Sequence, residues 1–162
     1  MSGYAALMSN GTQSDAIQSF LHRHGVTGEP GRDWEVRRLG TDKAMVDRIL
    51  EVIERGEKTM TFSLPWVAEH ERLPAPAPGR HIVLLDADDA PRLLLRLTDV
   101  KPRAFGEVDA DDLAREGIPM RDPEAWRDLH TLVWNGKLAP LGLAVSDDMP
   151  VWAEYFDLLA TA

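Results

Sequence analysis

Two side chains three residues apart, Lys58 and Thr61, carry the most suggestive chemistry in the chain. They stand in the run Gly56-Glu57-Lys58-Thr59-Met60-Thr61-Phe62-Ser63-Leu64-Pro65-Trp66. A lysine amine can take a hydroxyl proton, and a hydroxyl activated in this way attacks an acyl carbon. The same pair, with the ammonium kept charged, holds an anion or stabilises developing negative charge. From Lys58 onward the residues alternate, so on a straight strand Lys58 and Thr61 would point to opposite faces. They converge only if the strand begins after Lys58, leaving the lysine in the turn that Gly56 opens. Glu116 is the carboxylate that would complete such a site. It precedes Gly117 at the end of a predicted loop-then-helix segment over residues 105–117, where the helix dipole disfavours a negative charge. It therefore either faces solvent or pairs with a cation, and Lys58 is the obvious partner.

Other constellations are weaker. His22 and His24 diverge by about 200° on a helix and cannot share an ion. His70, His81 and His130 are scattered, so a dedicated zinc site has no support. Magnesium or manganese needs only one or two carboxylates plus substrate oxygens, which leaves Asp147, Asp148 and Glu116 as candidate ligands. Neither a Gly-x-Ser-x-Gly elbow nor a P-loop is present. The Asp86-Ala87-Asp88-Asp89 cluster lacks the glycine and distal glutamate of a calcium loop and reads as a solvated turn. Trp66, Trp126 and Trp134 are possible stacking platforms for a base, with Trp134 more at home in a core. His130 lies one helical turn after Trp126 and is either a proton donor or a satisfied, partly buried histidine. Arg37 and Arg38 are candidate phosphate ligands on a first strand.

The elements that would position these groups follow from periodicity and punctuation. Residues 1–12 are small and polar and are expected to be frayed; residues 13–162 read as one domain. Ser14 is placed as the cap of a helix running to His24, with Ile17, Phe20 and Leu21 on its apolar face. Residues 34–39 form a first strand. Thr41 is placed as the cap of a helix over residues 42–55, whose apolar stripe is Met45, Ile49, Val52 and Ile53. A short helix follows Trp66, and the alternating prolines from Pro74 to Pro78 favour an extended surface loop. Residues 81–85 are apolar almost without interruption, as in a strand buried on both faces, and residues 92–100 return antiparallel to it. Asp122-Pro123 starts a helix with Trp126, Leu129, Val133 and Trp134 on its buried side, ending at Gly136. A last strand covers residues 151–156. Helices interrupting about five short strands indicate an α+β fold around a small barrel-like sheet.

Composition narrows the function classes. The chain has 162 residues, no cysteine and a formal net charge of −9, with 27 acidic side chains against 18 basic ones. Without cysteine there is no disulfide framework and no thiolate site. No apolar run approaches the ~20 residues of a membrane span, and the first residues lack the basic start of a signal peptide, so a cytoplasmic location is expected. The acidic balance argues against extended contacts to double-stranded nucleic acid, which rely on displacing counterions from phosphates. A small basic pocket for one nucleotide or a short single strand is compatible with it, because local field and net charge can differ in sign.

The Gly56–Thr61 run resembles the Gly-x-Lys-x-x-Thr signature of the ASCH domain family, relatives of the PUA-like RNA-binding barrels. Phe105-Gly106-Glu107-Val108, Ala114-Arg115-Glu116-Gly117, Trp126-Arg127-Asp128-Leu129-His130 and Ser146-Asp147-Asp148-Met149-Pro150 resemble further segments of the same family in the same order, over residues 13–160. The resemblance implies an α+β fold with a small PUA-like β-barrel and flanking helices. It also implies binding of RNA or a nucleotide. The last two segments are similar to the longer bacterial branch, for which the implied activity is a ribonuclease acting on single-stranded RNA. In amidohydrolases of the family a lysine and a threonine act with a later glutamate. The matching positions are Lys58, Thr61 and Glu116, which implies the alternative of removing an acyl group from N4-acylated cytidine. A non-catalytic RNA- or nucleotide-binding module is the third reading. Candidate substrate contacts are Arg38, Ser63, Trp66, Trp126, His130 and Ser146. Ser63 departs from the arginine that compact members often carry there, removing a rigid guanidinium clamp. A ribonuclease built on Asp147 or Asp148 would need magnesium or manganese, whereas a lysine–threonine hydrolase would need no cofactor.

Overall fold

A computed structural model describes residues 11–162. Its elements are helix α1 (Gly11–Arg23), strand β1 (Trp34–Arg37), helix α2 (Lys43–Glu54), strand β2 (Met60–Ser63), helix α3 (Pro65–His70), strands β3 (His81–Leu85) and β4 (Pro91–Ala104), helix α4 (Pro123–Leu138) and strand β5 (Pro150–Thr161). The fold is mixed α+β around one five-stranded sheet in the order β1-β3-β4-β5-β2. The β1–β3 pair is parallel and the other three are antiparallel. The expectation for residues 1–10 lies outside the described residues. Gly11 and Thr12 are already helical, so Ser14 sits inside α1 and is not its cap.

The continuous apolar run of β3 has the reason expected of it, because helices cover both faces. Val83 and Leu85 pack with Ile17, Phe20 and Leu21 of α1. Ile82 and Leu84 pack with Val46, Leu50 and Ile53 of α2. A third cluster joins Met60 and Phe62 of β2 and Val151 and Ala153 of β5 to Trp126, Trp134 and Leu138 of α4. The two antiparallel strands outrun their expected lengths, since β4 and β5 pair from Ala104↔Pro150 to Leu93↔Thr161. Among the described residues, no helix is long and apolar enough to cross a membrane.

The sheet is open where a closed barrel was expected: β1 and β2 end the order, and no ladder joins them. Each has only four residues, too few for a long seam. A side-chain pair spans the concave face instead. Arg37 of β1 donates to both carboxylate oxygens of Glu154 on β5, at 3.0 and 2.8 Å. In a flat sheet the two strands would lie three spacings, or about 14 Å, apart. The sheet is therefore strongly coiled, and this bidentate bond ties it in that shape. Glu35 also contacts Arg37.

Local chemistry explains the remaining departures. Asp42, not Thr41, caps α2, accepting from the Met45 backbone N–H at 2.9 Å. The Thr41 hydroxyl is turned instead to the Met45 sulfur. The helix expected before Gly117 does not form; a 3-10 turn at Phe105–Glu107 is followed by successive turns. The Asp109 carboxylate accepts from the backbone of Asp111 and Asp112, both at 3.0 Å. Asp112 in turn holds Arg103. Asp109 thus caps the segment as an N-cap would, but the N–H groups of Ala114 and Glu116 bond three residues back, to the Asp111 and Leu113 carbonyls at 3.3 and 3.0 Å, so the segment tightens into turns instead of continuing as an α-helix. Helix α4 does start at Pro123 with Asp122 as its cap, but it runs through Gly136 to Leu138.

The Arg37–Glu154 pair is expected to dominate stability out of proportion to its size. Glu154 is fully buried, so Arg37→Ala strands a carboxylate in the interior and should cost roughly 3–5 kcal/mol, measured as a lower denaturant midpoint. A loss below about 1 kcal/mol, the range of a surface ion pair, would show that the pair does not hold the sheet.

Candidate functional site

The motif turn is built as its sequence demands. Gly56 takes φ +72° after α2, and the N–H groups of Glu57 and Lys58 return to the Val52 carbonyl at 2.9 and 3.1 Å. Such a reversal requires positive φ, which glycine adopts without strain. Strand β2 begins at Met60, so Lys58 stays in the turn and is free of the strand's alternation. Thr61 opposes Glu154 across the β2–β5 ladder and shares its face, the face covered by α2. Lys58 and Thr61 thereby come to the same cavity.

Glu116 arrives on the turn-rich segment. Its carboxylate accepts from the Lys58 ammonium at 2.5 Å, with the two side chains 4% and 9% exposed. Several contacts hold the two loops together. The Thr59 N–H donates to the Arg115 carbonyl at 2.9 Å, and the Arg115 guanidinium donates to the Thr59 hydroxyl at 2.8 Å. Arg121 donates to the carbonyls of Glu116 and Glu57, at 2.6 and 3.0 Å. Gly117 permits the approach, since a Cβ there would meet Val52 Cγ2 at 3.3 Å and Lys58 Cβ at 3.7 Å.

Above the pair lies a cavity of about 560 Å³ between α2 and α4 at the β2 edge. Lys58, Thr61, Glu116 and His130 supply its inner polar groups. Met45, Ile49 and Val52 of α2 face Leu129, Val133 and Trp134 of α4 across it. The expected apolar stripe of α2 thus divides. Ile53 is core together with Val46 and Leu50, while the other three members form a cavity wall. Leu129 and Val133, expected on the buried side of α4, likewise face the cavity. Arg38, Arg48 and Lys137 also line it, so four cations meet two carboxylates, Asp42 and Glu116, in a protein of net charge −9. Arg48, Lys137 and Arg121 escaped sequence reasoning. Arg48 lies one turn after Met45 on the cavity-facing side, but nothing in the sequence marks Arg121.

The other candidates fall elsewhere. Trp126 is fully buried against Phe62 and Phe105 and presents no face to a ligand. Trp66 belongs to α3 and lines a separate hollow with Glu69, His70, Leu141 and Leu143. The Ser63 hydroxyl is buried outside the cavity lining. Ser146 bonds Asp148 at 2.7 Å, and the Asp147 carbonyl accepts from Gly106 at 2.8 Å. None of these three lines the cavity, so an ion held by Asp147 or Asp148 would not sit beside Lys58. Arg38 is at the cavity but contacts Asp89. Among the described residues no three histidine or carboxylate side chains converge as a metal site.

His130 is held rigidly. Its ring stacks on Trp126 at 4.6 Å and meets Trp134 edge-on at 4.7 Å. Nδ1 lies 2.7 Å from the Trp126 carbonyl, which requires the proton on Nδ1. Burial, reinforced by the nearby positive charges of Lys58 and Lys137, pushes the imidazole down from 6.5 to about 4. Between these values the unfolded chain binds a proton that the folded protein refuses, so stability rises with pH through this window and falls on acidification from 6.5 towards 4. The linked loss is on the order of 3 kcal/mol at full extent. His130→Phe should flatten that limb of the stability–pH profile. A His130 NMR titration with its midpoint near 6.5 would contradict this placement.

Comparison with known proteins agrees with the fold. No curated protein matches the chain. The structure is similar to an ASCH domain from Lactobacillus crispatus JV V101, with a TM-score of 0.78, 21% identity, and coverage of 89% of this chain and 94% of that one. It is also similar to a protein from Enterococcus faecalis V583, with a TM-score of 0.74, 23% identity, and coverage of 90% and 86%. The ASCH domain family profile matches residues 35–160, and the chain belongs to the ASCH domain family.

Proposed function

We propose that the protein binds a single modified nucleoside or nucleotide in the cavity and hydrolyses an acyl amide on it, N4-acylated cytidine being the model substrate. The observation that carries this reading is that the buried Lys58–Glu116 pair and Thr61 line one cavity of about 560 Å³. That volume suits one small ligand. A strand reader would instead need a run of exposed aromatic platforms, whereas Trp126 is core and Trp66 faces a different hollow. In this reaction Thr61 Oγ1 attacks the acyl carbon, forming an ester as the C–N bond breaks. The hydroxyl proton passes through the Lys58–Glu116 pair to the departing amine nitrogen. Water then cleaves the ester, releasing a carboxylic acid and restoring the hydroxyl. None of these steps calls for a metal ion.

The cations favour a second reading, in which the cavity accepts one nucleotide of single-stranded RNA. Arg38, Arg48 and Lys137 would then meet phosphates, with or without cleavage of the strand.

Incubation with N4-acetylcytidine and with single-stranded RNA, each with and without EDTA, separates these readings. Amide hydrolysis should survive EDTA and fall at least ~100-fold in Lys58→Arg, because arginine keeps the charge but cannot relay the proton. Thr61→Val should be equally inactive. RNA shortening that EDTA abolishes, with acetylcytidine untouched, would replace the amidohydrolase reading by the ribonuclease one. RNA binding without turnover of either substrate would leave a binding module.

A further inference from the structure

His130 stands apart from the proton-transfer groups in one respect: its hydrogen-bonding role is decided before any ligand arrives. The Nδ1 proton is committed to the Trp126 carbonyl at 2.7 Å. The ring cannot turn to offer that nitrogen instead, because it is stacked on Trp126 and wedged edge-on against Trp134. With Nδ1–H engaged, Nε2 is left as a bare lone pair. Nε2 has no partner among the described residues, is not sealed from solvent as an orphaned buried atom, and belongs to a residue lining the cavity. Protonation would turn it into a donor, but burial, with the neighbouring Lys58 and Lys137 charges adding to it, opposes that down to about pH 4.

Around this acceptor, the other inner groups are differently disposed. Lys58 can only donate, and its ammonium is already bonded to Glu116, whose carboxylate is the other inner acceptor and is engaged by that ammonium through Oε2. The Thr61 hydroxyl can rotate to donate or accept. The facing walls of α2 and α4 are apolar at Met45, Ile49, Val52, Leu129 and Val133 and cationic at Arg48 and Lys137, so they carry donors but no acceptor. A ligand donor placed against Nε2 therefore has no rival acceptor on those walls, and a ligand carbonyl placed there would meet a lone pair with a lone pair.

We propose that His130, through Nε2, is a specificity-determining acceptor that selects ligands presenting a hydrogen-bond donor, either a ribose hydroxyl or the acylamino N–H. This rests on the nucleoside reading of the cavity but not on turnover. It gives His130 a role in substrate discrimination and removes it from proton donation. A buried site built to bond a hydroxyl or N–H rejects analogues that lack it, because its own polar group is then left unpaired.

The test is equilibrium binding, followed through tryptophan fluorescence or calorimetry. The three probes are N4-acetylcytidine, its 2′,3′-dideoxy analogue without ribose hydroxyls, and its N4-methyl analogue without the amide N–H. The wild-type protein should bind one of the two analogues about 10–100-fold more weakly than the parent, and which one identifies the donor. His130→Phe, which keeps the aromatic packing but has no acceptor, should abolish that discrimination. His130→Gln, whose carbonyl can accept, should restore part of it. Equal binding of all three probes by the wild-type protein would overturn the proposal while leaving the nucleoside cavity intact, as would discrimination that persists unchanged in His130→Phe. Binding with discrimination but no hydrolysis would support it and remove only the amidohydrolase activity. Failure of every probe to bind would overturn both this role and the nucleoside reading.

Discussion

An ammonium and a carboxylate taken out of water together are tolerable only as a pair, and the Lys58–Glu116 contact at 2.5 Å makes each buried charge depend on the other. Desolvating either ion alone is expensive, and their mutual attraction offsets this only when geometry is close. The surrounding chain is arranged to keep it close. Gly56 reverses the backbone after α2, Gly117 lets the second loop settle on Val52, and Arg121 bonds a carbonyl from each loop. Separating the loops would leave two desolvated charges without their partner. The site is thus also a structural joint between α2, β2 and the segment leading to α4.

A second buried pair sets the shape in which that joint works. Arg37 reaches across the concave face to Glu154, and Glu154 stands opposite Thr61 in the β2–β5 ladder. The strand that presents the nucleophile candidate is therefore anchored through its neighbour to the far edge of the sheet. Coiling brings α2 and the β2 edge together, and α4 closes the other side. The cavity exists because three elements meet where an edge strand of four residues leaves room.

Charge is distributed against the protein's average. A net charge of −9 coexists with a cavity at which Arg38, Arg48, Lys58 and Lys137 gather. Set against Asp42 and Glu116 they leave the lining net positive, and low-dielectric walls focus that field. An acidic exterior disfavours non-specific contact with phosphate backbones, whereas the cavity lining carries the opposite sign.

Much of this was legible in the chain itself. The covered faces of β3, the start of α4 at Asp122-Pro123, and the turn that frees Lys58 from the strand's alternation all follow from short-range rules acting on neighbouring residues. The ordered motifs indicated the family for the same reason, since each is a local pattern. Where local signals compete, the sequence was ambiguous: Thr41 and Asp42 both suit a cap, and the segment that Asp109 caps closes into turns with bonds three residues back where a helix was expected. What only tertiary structure decided depends on distance along the chain. Arg37 meets Glu154 across 117 positions and Lys58 meets Glu116 across 58. Trp126 and Trp66 looked like stacking platforms, but packing sent one into the core and the other to a separate hollow. The α2 stripe read as one apolar face, yet three of its four residues line a cavity, because an apolar side chain carries the same pattern whether a neighbour fills the space beside it or leaves it open for a ligand.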